Sequence, residues 1–202
     1  DSDYLWGRFL IEQGVVERTT YERENERFYN EYKAGTLDIQ EFLRFQLRPL
    51  AAHDMATLQA WRARYLETKV RPIMLDKARA LLEDHRARGH TLMIITATNS
   101  FVTAPIAAAL GVEHLIATEP ELVDGRYTGA VAGIPCFRDG KVARLGQWLQ
   151  ARAATADETW FYSDSHNDLP LLRAVDHPTA VDPDPTLTHH ARQQAWPVNS
   201  LR

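Results

Sequence analysis

Cysteine is almost absent from this 202-residue chain: Cys136 stands alone, so no disulfide can form within it. A lone thiol suits a reducing compartment, and a cytoplasmic protein is expected. Long apolar runs are missing as well; none approaches the ~20 residues that a membrane-spanning helix needs. Nor is there an excess of positive charge. Lys and Arg number 23 against 27 Asp and Glu, and the net charge of −4 disfavours non-specific nucleic-acid binding. No internal repeat or low-complexity tract is found. What is present, 45% hydrophobic and 25% charged residues, is the make-up of an ordinary globular chain. Its length allows a proper core, in one domain or in one with a smaller lobe.

The first third lacks strand patterns and Gly-rich loops. Residues 4–70 read as helices throughout. Tyr4, Leu5, Phe9 and Leu10 fall at helical spacing, with Gly14 as a stop. Thr19 or Thr20 is expected to cap a second helix carrying Phe28, Tyr29 and Tyr32 and ending near Gly35. Its outer face, dense in Glu and Arg, reads as solvated. Thr36 or Asp38 opens a third helix, which Pro49 should close. A fourth follows from Asp54 with Leu58, Trp61 and Tyr65. The spacing predicts a small antiparallel helical bundle.

At Pro72 the pattern changes to strands alternating with helices, which argues a parallel sheet built from βαβ units. Ile73 to Arg88 reads as a helix. His90 to Ile95 is a strand apolar enough to be buried on both faces, and Phe101 to Leu110 is the next helix. His114 to Thr118 is a second strand. Residues 122–129 hold the Asp124-Gly125 turn of a hairpin. Phe137-Arg138-Asp139-Gly140-Lys141 opens a helix. Thr159 to Tyr162 is a strand ending at Asp164, with Asn167 or Asp168 capping the helix that follows through Val175. His177 to Val181 and a helix from Asp184 to Ala195 complete the chain. His189 and His190 read as solvated, and Cys136 has no identifiable base partner.

Three polar places follow these elements. Thr96, Thr98 and Asn99 stand where a strand gives way to a helix, and hydroxyls with unpaired N–H groups there make a phosphate cradle. The structural alternative is a plain helix cap. Lys141 lies at a helix start, where the macrodipole disfavours a cation. It is either a phosphate-neutralising group or a solvated lysine. Asp164 and Asp168 stand about one turn apart at a strand end, hard oxygen ligands for a cation such as Mg²⁺. The alternative is an Asp/Asn turn that only caps.

In order and context these segments resemble the haloacid dehalogenase (HAD) superfamily of phosphohydrolases, in its phosphoserine-phosphatase-like branch. Thr96 matches the second motif, Lys141 the third, and Ser163-Asp164-Ser165-His166-Asn167-Asp168 the fourth, with Ser163 where Gly is usual. The resemblance implies an α/β fold: a Rossmann-like parallel-sheet core at 71–202 with an inserted α-helical bundle cap at 1–70. It implies phosphate binding by Thr96, Ala97, Asn99 and Lys141, with Thr96 and Lys141 catalytic. It further implies Mg²⁺ on Asp164 and Asp168, and support from Asn167. Asp1, Asp3 and Arg48 are the candidates for reading the substrate. The expected activity is Mg²⁺-dependent hydrolysis of a small, phosphoserine-like phosphomonoester through an aspartyl-phosphate. Catalytically incomplete phosphate or metal binding, and phosphotransfer, are the alternatives. The expected partner is a small phosphate ester, not nucleic acid or membrane, with the chain a monomer or homodimer.

One motif of that family is missing. Its first, an apolar strand followed by Asp-x-Asp-x-Thr or Val, supplies the nucleophile. Asp1-Ser2-Asp3 imitates the spacing, but no strand precedes it and Leu5 stands where Thr belongs. The expectation is that this sequence begins just after the nucleophile, with the missing strand and loop spanning roughly ten to twenty residues. That strand is central in the family fold. Losing it would leave ladder groups unpaired at about 1–3 kcal/mol each, against a total stability of about 5–15 kcal/mol.

Overall fold

The computed structural model describes residues 2–153 and 155–202. Four helices come first: α1 (Ser2–Glu12), α2 (Arg18–Ala34), α3 (Ile39–Ala52) and α4 (Met55–Tyr65). α4 runs on through a π-helical turn, Leu66–Val70, and a 3-10 turn, Arg71–Ile73. Then follow α5 (Asp76–Ala87), β1 (Met93–Asn99), α6 (Ser100–Ala109), β2 (His114–Val123), β3 (Arg126–Ala132) and α7 (Asp139–Ala151). β4 (Trp160–Ser163), a 3-10 turn (His166–Asp168), α8 (Leu169–Leu172), β5 (His177–Val181), α9 (Pro185–Gln193) and β6 (Val198–Asn199) complete it. No helix among the described residues is long and apolar enough to cross a membrane.

The chain groups into two compact units. One holds the residues up to Met74 together with Met93–Pro135; the other holds Leu75–Leu92 with Cys136–Arg202.

In the first unit, helix ends follow side-chain chemistry, with two departures from expectation. Glu17, not Thr19 or Thr20, caps α2. Its carboxylate accepts the N–H groups of Thr19 and Thr20 at 2.8 and 2.7 Å, and those bonds hold its pKa down at about 2. Asp38 caps α3 as expected, from Gln40 and Glu41. α3 does not stop at Pro49 but continues to Ala52. Pro49 and Leu50 are buried, and their packing outweighs the lost hydrogen bond. The apolar faces meet in a core of Trp6, Phe9, Leu10, Leu47, Leu50, Leu58 and Tyr65, with Trp6 edge-on to Tyr65 at 5.1 Å. Arg27 pairs with Glu24 and Glu31 on its own helix and reaches Glu41 of α3 at 2.7 Å, so that charged face also ties two helices together.

The sheet of this unit has the order β1-β2-β3. β1 and β2 are parallel; β2 and β3 form the hairpin, turning at Asp124 (φ 49°) and Gly125 (φ 76°). α3 packs on β3, where a Cβ on Gly129 would lie 3.3 Å from that of Ala51. β1 starts three residues later than expected and runs on through Thr96 to Asn99. Its apolar part is half-buried, not buried on both faces, because β1 is an edge strand of this sheet, with β2 as its neighbour.

In the second unit β4, β5 and β6 are all parallel, the pairing that alternating strands and helices predict. Like β1, β4 ends its sheet, and has no ladder partner among the described residues other than β5. α5 begins at Asp76 rather than Ile73 and joins β4 through His85, whose ring nitrogens contact Tyr162 Oη and His90 Nδ1 at 2.8 Å each. Leu172, Ala180, Leu187 and Ala191 form the buried core. The helix expected through Val175 is only the four residues of α8. Asp168 stands at the N-cap of α8, but its side chain makes no capping bond there; the 3-10 turn before it is capped by Ser165, through the Asn167 N–H. His189 is exposed, but His190 is not solvated as expected: its ring lies edge-on to Trp196 at 5.0 Å.

Candidate functional site

At the end of β1 the ladder breaks. Ile95 pairs with Ile116 and Asn99 with Thr118, so Thr96, Ala97 and Thr98 together oppose one residue of β2. Such a bulge takes N–H groups out of register and re-aims side chains. The Thr98 N–H turns to Thr96 Oγ1 at 3.2 Å, and Thr98 Oγ1 lies 2.9 Å from Ser2 Oγ. Asn99 Oδ1 caps α6 by accepting the Val102 N–H at 3.1 Å. Thr96 lines a cavity of about 270 Å³ with Ser2, Leu5, Tyr65, Ile94 and Thr103.

Asp3 is brought to this same place. Only 8% of it is exposed. Burial raises its pKa to about 6, against the opposing hydrogen bond from Thr98. No ion pair compensates it among the described residues. Tyr21 and Tyr65 are pushed upward too, by burial first and the nearby Asp3 charge second for Tyr65. Arg48, which also acts on Tyr21, is exposed, its guanidinium 5.9 Å from the Phe45 ring. Asp1 lies outside the described residues.

The second unit gathers the other candidates at the carboxyl end of β4. Lys141, in the first turn of α7, is 5% exposed, and its Nζ lies 2.5 Å from Asp168 Oδ1. The buried carboxylate offsets the unfavourable position of a cation at a helix N-terminus. Ser163 Oγ donates to the other oxygen, Asp168 Oδ2, at 2.7 Å. Asp164 is different: it is exposed, and no hydrogen bond or ion pair engages its carboxylate among the described residues. Its backbone is held instead, the carbonyl accepting the Asp184 N–H at 2.8 Å. Asp184 in turn accepts the His166 N–H and ring Nδ1 at 2.6 and 2.8 Å and caps α9. Burial pushes the Asp184 carboxyl upward, but the Leu187 and His166 N–H groups outweigh it and leave it below the usual value. Asn167, 2% exposed, accepts Arg138 Nε and Nη2 at 3.0 and 2.9 Å on its single carbonyl oxygen.

The donor set fits a Mg²⁺ ion, which takes one or two carboxylates and keeps water on its remaining positions. Asp164 has both oxygens open; Asp168 has both engaged, by Lys141 and Ser163. No group of three or more His, Cys, Asp and Glu side chains suited to a metal exists among the described residues.

The family model described as haloacid dehalogenase-like hydrolase matches residues 1–173. The chain belongs to that family. The HAD assignment is supported over the whole chain by a histidinol-phosphatase from Neisseria meningitidis serogroup C (strain 8013). The two are 40% identical over 206 residues, covering 100% of this chain and 93% of the relative. More distant relatives from Mycobacterium tuberculosis are spanned over only about half their length, 52% and 55%. A crystal structure of a protein with unknown function from Bordetella pertussis Tohama I has TM-score 0.94 and 43% identity, covering 100% of this chain and 92% of that one. A phospho-aspartyl intermediate analogue of phosphoserine phosphatase, 16% identical, shares the fold, with TM-score 0.69 and coverage of 100% and 87%. The fold is thus HAD-like, and the chain is a phosphatase-type hydrolase.

Three residues at these places were not singled out by sequence: Ser163, Arg138 and Asp184. Ser163 had a signal, since it replaces a usual Gly and sits five residues before Asp168. Arg138 had only its place in a basic segment. Asp184 had none beyond being a helix cap.

Proposed function

We propose that this protein hydrolyses, in the cytoplasm, a phosphomonoester of a small amine-bearing alcohol, histidinol phosphate before phosphoserine, in a Mg²⁺-dependent reaction. The observation that carries the proposal is the buried Lys141–Asp168 pair at 2.5 Å beside the open carboxylate of Asp164. Residues 1–70 select the leaving group as a cap; residues 71–202 carry the phosphate chemistry.

In this reaction class a carboxylate attacks phosphorus; the family's strand-borne Asp-x-Asp motif has no match within residues 1–202. The carboxylate oxygen bonds to phosphorus, the ester P–O bond breaks, and a general acid, in the family the second Asp of that motif, gives its proton to the departing alcohol oxygen. Water then attacks the aspartyl-phosphate, passes its proton to the same group and releases orthophosphate. Thr96, with the N–H groups of Ala97 and Asn99, holds phosphate oxygens. Lys141 offsets their charge as the carboxylate approaches. Mg²⁺, held by Asp164 and by Asp168 directly or through water, supplies further positive charge when bound. Asn167 supports the group from the neighbouring position.

Selection of an amine follows from Asp3, a buried acid with no ion-pair partner among the described residues, which a substrate ammonium would complement. Asp1 is the second candidate for this role. Phosphoserine needs a carboxylate reader too, and Arg48, exposed on Phe45, is the only candidate raised for it. Histidinol phosphate has an amine and no carboxylate. The 40% identical relative named histidinol-phosphatase supports the same choice.

The test is phosphate release by the protein from histidinol phosphate, phosphoserine and glucose 6-phosphate, with Mg²⁺ or with EDTA. Turnover of histidinol phosphate above the others, lost with EDTA, is expected. Equal turnover in EDTA, or release from none of the three, would contradict the proposal.

A further inference from the structure

Arg138 holds a backbone conformation that its residue type disfavours. It precedes α7 with φ 49° and ψ −121°, a region that glycine enters freely and residues with a Cβ do not. A glycine stands two positions on, at Gly140, and does nothing to relieve it. Surrounding structure has to hold such a position, and the side chain of Arg138 is itself engaged. Nε and Nη2 converge on Asn167 Oδ1 at 3.0 and 2.9 Å, and the guanidinium lies 5.0 Å from the Phe137 ring.

These contacts do two things. The Arg138 carbonyl accepts the Lys141 N–H at 2.9 Å, so the strained residue sets the turn from which Lys141 projects. The two guanidinium bonds also decide which way the Asn167 carboxamide faces. Its oxygen is drawn to Arg138, and its nitrogen turns away, to 3.4 Å from Ser165 Oγ. Arg138–Asn167 and Lys141–Asp168 are thus two struts between the start of α7 and the 3-10 turn after β4. A lysine in place of Arg138 would offer one ammonium where the guanidinium offers a fork.

We infer that Arg138 is a positioning residue for phosphate chemistry: it fixes Asn167 with its amide nitrogen as the donor presented to a phosphoryl oxygen. This rests on the phosphatase reading, and the two can fail separately. Arg138→Gly is the informative change, since glycine accepts the backbone geometry without strain while the side chain and its guanidinium are removed. It is compared with Arg138→Lys, Asn167→Ala and the double variant Arg138→Gly/Asn167→Ala. Two readouts are taken: kcat and KM for the turned-over ester, and the Kd of inorganic phosphate by calorimetry.

Arg138→Gly is expected to lower kcat about 10- to 100-fold, to leave KM within about threefold, and to weaken phosphate about tenfold. Arg138→Lys should recover part of the loss. The double variant should be no worse than Asn167→Ala alone, because both remove one unit. A merely structural Arg138 gives the opposite: kcat and phosphate Kd unchanged in Arg138→Gly, or losses that simply add in the double variant, and either result overturns the inference. Should the unaltered protein release phosphate from no ester, the proposed function falls, and the phosphate-binding cycle alone decides the role of Arg138.

Discussion

Asp3 and Asp168 are both buried aspartates, and the chain treats them in opposite ways. Asp168 meets Lys141 on one oxygen and Ser163 on the other. Asp3 has the Thr98 hydrogen bond and, among the described residues, no ion-pair partner, and burial raises its pKa to about 6. Removing a charge from water is costly unless a counter-charge and hydrogen bonds replace the solvent. Asp168 has that replacement built in. Asp3 lacks it, and so carries a standing deficit that a cationic ligand can fill. On the proposed function, the first belongs to a fixed framework for phosphate and the second to a group that waits for a substrate's amine.

The largest expected effect comes from breaking the complete pair. Lys141→Met leaves Asp168 as an uncompensated buried charge, so stability should fall by about 3–5 kcal/mol in urea titrations. Phosphate release should fall by about 10²-fold or more, through loss of the charge facing the phosphate. Asp164→Asn sharpens the contrast. Its carboxylate is exposed and unengaged, so stability should move by no more than about 0.5 kcal/mol. Mg²⁺-dependent turnover should nevertheless drop about 10²-fold or more, and undiminished turnover would refute its role as ligand.

Asp3→Asn should move stability the other way. The folded protein binds the Asp3 proton up to a pKa of about 6, against 3.8 for the ordinary group. Between those values the folded state holds more protons than the unfolded one, so stability falls as pH rises from about 4 to about 6 and stays at the lower level above. Asn removes this loss. At pH 7 the variant should gain up to about 3 kcal/mol, and the slope between pH 4 and 6 should flatten in unfolding curves. Ser163→Ala takes one donor from Asp168 Oδ2 and should cost less, about 1–2 kcal/mol by the same titration.

How far the sequence foretold this depends on whether the signal was local. The Asp124-Gly125 turn, the Asp38 cap, the Gly35 helix end and the His177–Val181 strand are each written in neighbouring residues, and each is found as read. Tyr162-Ser163-Asp164 likewise marks a strand end by its change from apolar to polar. Where several local candidates compete, the reading fails. Glu17 takes the cap from Thr19 and Thr20 because its longer carboxylate reaches both N–H groups. Where tertiary packing decides, local rules are overruled: Pro49 lies inside α3 because it and Leu50 are buried. The bulge that carries Thr96 depends on register with β2, and no property of Thr96-Ala97-Thr98 announces it. The left-handed φ of Arg138 is invisible for the same reason, since the residues that hold it lie 29 positions away.

The most direct measurement is the ratio of kcat/KM for histidinol phosphate to that for the same ester without its amine, in the protein and in its Asp3→Asn variant. A preference for the amine of about tenfold or more is expected, and should vanish in Asp3→Asn while the deaminated ester is turned over as before. Equal turnover of both esters by the unaltered protein, or a preference that survives Asp3→Asn, would contradict the assignment of the uncompensated aspartate to the substrate.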